Sequence, residues 1–210
     1  MNLGTLHNPP SLTAELIDMA YGGINNPYWY ELRDLLLQIG VIEIEAFTFE
    51  TYLSITTARN QTVNKFSWSI PNLDIVQLAA DHLGTRIVEM GAGSGYWAWL
   101  FSQMGREVIA FDKRPWDIRY HPVHYGTPDI LTKYHDHSLF LCWPPALDPM
   151  ATDCLHYYTG NKLAFIGYDT HLTGDDEFHE ILKNDWTLLS CHINKDWLNL
   201  KDTLYLYIRK

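Results

Sequence analysis

The residues from Ile87 to Trp97, IVEMGAGSGYW, constrain this chain more than any other stretch. An apolar run, Ile87 to Met90, breaks at Gly91-Ala92-Gly93-Ser94-Gly95 and gives way to a helical pattern from Tyr96 to Met104. That succession predicts strand, tight turn and helix, the unit from which open α/β sheets are built. Glycine at alternate positions tolerates positive φ and carries no Cβ. A ligand can therefore lie against the turn while the following helix aims its amide N–H groups at it. A small-molecule site is expected here.

Two cofactor classes use such a turn. A dinucleotide fingerprint places a small residue at the sixth position so that helix and strand pack closely, and here that position is Tyr96. Glu89 stands two residues before the first glycine. A carboxylate there offers nothing to an anionic pyrophosphate and favours a cationic ligand.

The pattern Glu89-x-Gly91-x-Gly93-x-Gly95 after an apolar strand resembles the first motif of the class I S-adenosylmethionine-dependent methyltransferases. A second motif follows. Val108-Ile109-Ala110-Phe111-Asp112 is a short buried strand ending in an acid, placed to take both ribose hydroxyls of a nucleoside. The resemblance runs from about Phe66 to Lys210. It implies an α/β fold: a Rossmann-like seven-stranded, mostly parallel sheet with helices on both faces, and S-adenosyl-L-methionine as cofactor. Glu89, Gly91, Ala92, Gly93 and Gly95 would then line the methionine moiety and Asp112 the ribose, with Lys113 in the loop beside the adenine.

Composition narrows the partners. A chain of 210 residues with 47% hydrophobic and 19% charged residues is globular and long enough for a full core. A net charge of −10 with fifteen Lys and Arg gives no general attraction to a phosphate backbone, so a small-molecule or protein substrate is expected ahead of nucleic acid. Arg106, Lys113, Arg114 and Arg119 are the one local basic group. Cys142, Cys154 and Cys191 are odd in number and form no C-x-x-C pair, so they read as reduced core thiols of a cytoplasmic protein. No secretory leader and no run approaching ~20 apolar residues is present, and no membrane association is expected.

Residues 1–65 form an N-terminal helical extension and 66–210 the cofactor domain. Helices are expected over Leu12–Tyr21 and Pro27–Ile39, the latter with Pro27 in its first turn and Gly40 closing it. Val41–Ile44 leans extended, and Glu45–Ala58 is a candidate third helix. In the resembled family such an extension covers the substrate side of the pocket; a packing appendage is the alternative. Tyr28, Trp29, Tyr30 and Arg33 are the residues to follow.

Asn72–His82 carries Ile75, Leu78, Ala79 and Leu83 at helical spacing. The segment before it, with Phe66 and Trp68, either faces the sulfonium through a cation–π contact or packs in the core. Pro122–Tyr125 is a strand candidate, and Asp129 is either an acid at the adenine edge or a turn residue. His121, His124, His135 and His137 lack a cysteine partner or an H-E-x-x-H helix, so no metal site is expected.

Leu139–Cys142 is the fourth buried strand, and Trp143-Pro144-Pro145-Ala146 follows. In the resembled family's amino-group enzymes a polar residue precedes Pro-Pro and an aromatic one follows. There the polar side chain and a proline carbonyl accept hydrogen bonds from the target amine. This chain departs at both positions, with Cys142-Trp143 before and Ala146 after, which places N-methylation in doubt. Cys142 is counted with the cofactor residues, as are Trp68 and Asp129.

Lys162–Gly167 is the fifth strand, preceded by a short helix, Ala151–Tyr158, that Gly160 ends. The loop Tyr168–Asp176 then reaches the ligand edge of the sheet. Thr173 and Asp176 have capping-box spacing; Tyr168, Asp169, His171 and Asp175 are the alternative substrate-orienting groups. Trp143, Pro144, Tyr168 and Asp175 are the candidates at the acceptor. Trp186–Ile193 and Leu204–Ile208 complete the sheet, as an antiparallel pair if the resemblance holds.

Overall fold

The structure, a computed structural model, describes residues 24–31, 49–170, 172–194 and 202–210. The chain divides into two compact units, Met1–Phe66 and Ser67–Lys210. The expected helix at Leu12–Tyr21, the stretch 32–48 and the candidates Arg33 and His171 lie outside the described residues.

In the first unit residues 27–31 are helical, and α1 spans Phe49–Lys65. Tyr28 stacks on Phe66 with ring centroids 4.8 Å apart, and Lys65 pairs with Glu31.

The second unit is built on one seven-stranded sheet. Its strands are β1 (Arg86–Met90), β2 (Glu107–Asp112), β3 (Val123–Tyr125), β4 (Ser138–Cys142), β5 (Lys162–Gly167), β6 (Trp186–Ile193) and β7 (Thr203–Arg209). They lie in the order β3-β2-β1-β4-β5-β7-β6. The first five run parallel; β7 is antiparallel to both β5 and β6. Parallel strands buried on both faces read as unbroken apolar runs, which is why β1, β2, β4 and β5 are legible in the sequence.

Helices cover both faces. α2 (Leu73–Leu83) and α3 (Tyr96–Gln103) pack on one, where Phe140 meets Trp97 at 5.4 Å and Phe101 at 5.0 Å. Asn72 caps α2 by accepting the Asp74 N–H at 2.9 Å, and Gly84 closes it at φ +80°. On the other face α4 (Met150–Tyr157), α5 (Asp176–Asp185) and a 3₁₀ turn (Pro128–Lys133) enclose Val88, Met90, Leu139, Leu141, Leu163, Phe165 and Phe178.

Three local expectations are corrected. The cap of α5 is Asp175, whose carboxylate accepts the Phe178 N–H at 3.0 Å and the Thr152 hydroxyl. Gly174 at φ +76° turns the chain just before it, so the Thr173–Asp176 capping box does not form. The Thr173 hydroxyl instead accepts the Tyr168 N–H and donates to the Tyr168 carbonyl, bracing the loop. α4 ends at Tyr157, before Gly160, with Tyr158 as its C-cap. Of the three free thiols only Cys154 is fully in the core; Cys142 is half-buried, and Cys191 is exposed because β6 is an edge strand.

Among the described residues, no helix is long and apolar enough to cross a membrane.

Candidate functional site

Strand order locates the site. From β1 the sheet grows one way to β2 and β3 and the other way to β4 and β5, so connections leave the carboxyl ends of β1 and β4 in opposite directions and open a crevice between them. The glycine turn leaves β1 on one side of this switch point, and Trp143-Pro144-Pro145 leaves β4 on the other.

The turn requires its glycines. Gly91, Gly93 and Gly95 have φ of +76°, +54° and +71°, values that strain any residue with a Cβ. Gly91 and Ala92 both donate to the Phe111 carbonyl, at 2.9 and 3.0 Å, tying the turn to the end of β2. Asp112 finishes that tie: one carboxylate oxygen accepts the Gly93 N–H at 2.8 Å and the other the Arg114 N–H at 2.6 Å. A carboxylate has about four acceptor sites, so Asp112 retains capacity for ligand hydroxyls.

Glu89 lies on β1 directly before the turn and is 2% exposed. It interacts with the backbone of Ala98, in the first turn of α3, where the N-cap Gly95 has no side chain to offer. Its Oε2 is buried without a hydrogen-bond partner. Burial pushes the carboxyl up to about 8, the Ala98 backbone hydrogen bond opposes this, and the nearby Asp112 charge adds to the rise. Cys142, at the end of β4, is raised well above the usual thiol range by burial and by the charges of Asp202 and Glu89, so it stays a thiol.

The face of the turn is lined by the chain's own side chains. A Cβ at Gly93 would come within 3.0 Å of the Trp116 indole, and one at Gly91 within 3.0 Å of the Met150 methyl. At Gly95 it would meet Val123 at 2.8 Å and the His121 backbone carbonyl at 3.2 Å. Trp116 is held there by its N–H to the Gly93 carbonyl at 3.2 Å, and the loop is pinned again by Tyr120 N–H to Ser94 at 2.9 Å.

Across the switch point Trp143 adopts φ +50°, a conformation uncommon for a bulky residue. Its indole N–H donates to Asp202 at 2.8 Å, its backbone N–H to Ile166, and its ring stacks on Trp68 at 5.8 Å. Tyr168 meets it edge-on at 5.6 Å. Asp202 is fully buried, and its Oδ1 has no partner among the described residues.

The structure thus brings Glu89, the glycines and Asp112 together, and gathers Trp68, Trp143, Pro144 and Tyr168 in a second group. Asp175 is placed as a helix cap. Lys113 is exposed on the loop after β2, and Asp129 accepts the Thr127 hydroxyl in the 3₁₀ turn. The histidines scatter: His121 bonds the Val108 carbonyl, His137 pairs with Asp136, and no group of three metal-ligating side chains occurs among the described residues. Met150 and Asp202 escaped the sequence reading, since neither lies in a motif and both arrive through tertiary contacts. Trp116 lies in the same loop as Lys113, and no spacing marks it as the residue that packs on Gly93.

The donor set suits S-adenosylmethionine. A buried acid with an orphan oxygen stands behind the turn, where a cationic ligand supplies the missing charge. Three glycines held in the left-handed conformation and a half-buried acid at the end of the next strand complete it.

No protein-family model matches the sequence, and no curated protein matches it. Among solved structures the chain is similar to magnesium protoporphyrin IX methyltransferase (ChlM) from Synechocystis PCC 6803 with bound SAH. The identity is 10%, covering 92% of this chain and 100% of that one, with TM-score 0.47. It is similar to TehB from Haemophilus influenzae at 13% identity, covering 72% and 67%, with TM-score 0.45. A Pyrococcus abyssi tRNA (uracil-54, C5)-methyltransferase in complex with S-adenosyl-L-homocysteine is similar at 11% identity over 65% and 37%, with TM-score 0.42. The chain's own strand order and register give it the Rossmann-like sheet that its resemblance to the class I methyltransferases implies.

Proposed function

We propose that this protein binds S-adenosylmethionine at the glycine turn and transfers its methyl group to a small molecule or a protein side chain. The observation that carries the reading is the buried Glu89 carboxyl, its Oε2 unpartnered, directly behind three glycines in the left-handed conformation. A buried acid is costly unless it meets a positive charge, and three glycines let a ligand approach the backbone of the turn closely.

When bound, the cofactor supplies an electrophilic methyl on a sulfonium. The chain's part is alignment and exclusion of water, which such a displacement needs more than an acid or a base. Asp112 orients hydroxyls at the end of β2 while holding the turn through the Gly93 N–H. Glu89 favours the positive charge from behind. Trp143, fixed by Asp202 and by its backbone bond to Ile166, walls the crevice on the β4 side.

A nucleic-acid acceptor is disfavoured by the charge of −10. A non-catalytic cofactor-binding module shares the same turn, and release of S-adenosylhomocysteine with an acceptor separates the two. Thermal unfolding tests the cofactor directly. At about 100 times Kd, S-adenosylhomocysteine stabilises by about 2.7 kcal/mol, a rise of roughly 5–10 °C for a chain of this size. NADH at equal concentration should give none; a shift with NADH and none with S-adenosylhomocysteine would reject the reading.

A further inference from the structure

We infer that the cleft walled by Trp68, Trp143, Pro144, Pro145, Ala146 and Leu172 takes a small, neutral, planar aromatic molecule as methyl acceptor. This inference rests on the proposed function and names the substrate class of that site. The six lining residues contain no charged side chain and no side-chain hydrogen-bond group other than the two indole N–H. One of those, on Trp143, is already bound to Asp202. On the backbone, the Pro144 carbonyl already accepts the Gly174 N–H at 3.1 Å, and the Trp143 N–H is used by Ile166. A target amine would bring N–H groups to a wall that has no acceptor side chain and whose Pro144 carbonyl is already shared with Gly174. Its desolvation would go uncompensated.

An aromatic ring meets the opposite situation. Trp68 is 46% and Leu172 55% exposed, so apolar surface is available. Trp143 is fixed in a left-handed backbone, and Pro144-Pro145 stiffens the floor, so the wall is organised before anything binds. The cavity measures about 280 Å³, near the low end for small-molecule sites, which suits one or two fused rings rather than a peptide. The sheet supplies the direction. The cleft sits at the carboxyl ends of β4 and β5, beside the strand that carries the glycine turn.

For an aromatic hydroxyl the transfer balances simply. An oxygen lone pair forms the new C–O bond, the C–S pair returns to sulfur to give the neutral thioether, and the hydroxyl proton leaves to water.

The test uses 2-naphthol as probe, titrated calorimetrically into the full chain saturated with S-adenosylhomocysteine. Saturable one-to-one binding is expected, weakened at least tenfold in Leu172→Asp and in Ala146→Asp. Both positions are exposed, so the variants should fold, and both should keep wild-type affinity for S-adenosylhomocysteine. Binding that is absent, or equal in wild type and variants, overturns the assignment of the cleft, as does tighter binding of N-acetyl-glutamine amide. If S-adenosylhomocysteine itself fails to bind, the proposed function falls and the acceptor role with it. If only 2-naphthol fails, the cleft assignment alone falls.

Discussion

Replacing Glu89 by glutamine should make the protein more stable at neutral pH, although it removes an ionisable group from the heart of the site. The folded carboxyl titrates near 8 against an ordinary 4.5, so between those values the folded chain holds a proton that the unfolded chain releases. Each pH unit in that window costs the fold about 1.4 kcal/mol. The sign follows from the raised folded value. The contribution is intact below pH 4.5, falls as pH rises and levels off above about pH 8. At pH 7 the loss is about 3 kcal/mol, and by pH 8 about 5 kcal/mol. Glutamine keeps the shape and an oxygen for the Ala98 N–H but has no proton to lose. The difference in Tm between Glu89→Gln and wild type should therefore widen from near zero at pH 4.5 to roughly 6–12 °C at pH 7. Thermal unfolding followed by circular dichroism across this range, without ligand, measures it. Parallel curves for the two proteins would refute the assignment of a neutral, desolvated carboxyl at Glu89. The same substitution should weaken binding of the cationic cofactor, so that stability and affinity move in opposite directions.

Asp112→Ala should weaken S-adenosylmethionine binding by about 1.5–3 kcal/mol, measured calorimetrically, and should loosen the turn by freeing the Gly93 and Arg114 N–H groups. Unchanged affinity in a folded variant would remove the ribose role. Gly93→Ala should destabilise through both its left-handed φ and its contact with Trp116. Trp116→Ala in the same chain should recover about 0.5–3 kcal/mol of that loss, read as a coupling energy in chemical denaturation. Strict additivity would show that Trp116 does not press on the turn. Asp202→Ala, which removes the carboxylate that accepts the Trp143 indole N–H, should cost about 1–3 kcal/mol of stability by denaturant titration. Stability equal to wild type would show that the indole is not fixed by this bond.

The sheet was legible because its inner strands are buried on both faces. Ile87–Met90, Val108–Asp112, Leu139–Cys142 and Lys162–Gly167 each stand out as apolar runs bounded by turns, and tertiary packing had little to override. The glycine turn was legible for a local reason also: positive φ at three alternate positions admits almost nothing else. What the sequence did not disclose is non-local. Trp143 and Asp202 are 59 residues apart, and no spacing rule joins them. Nor does local pattern say that Trp116 folds back onto Gly93 or that Met150 reaches Gly91. The cap of α5 moved from Thr173 to Asp175 because the chain turns at Gly174, a choice that two capping residues on either side of one glycine leave open. Cys191 is exposed because β6 is an edge strand, a property of strand order and not of the residues in it.

The most direct test of the account is equilibrium titration of the purified protein with S-adenosylmethionine, S-adenosylhomocysteine and NADH in parallel. The account predicts that the first two bind at a single site with micromolar affinity, that both are weakened in Asp112→Ala, and that NADH does not bind. Binding of NADH, or binding of none of the three, would contradict it.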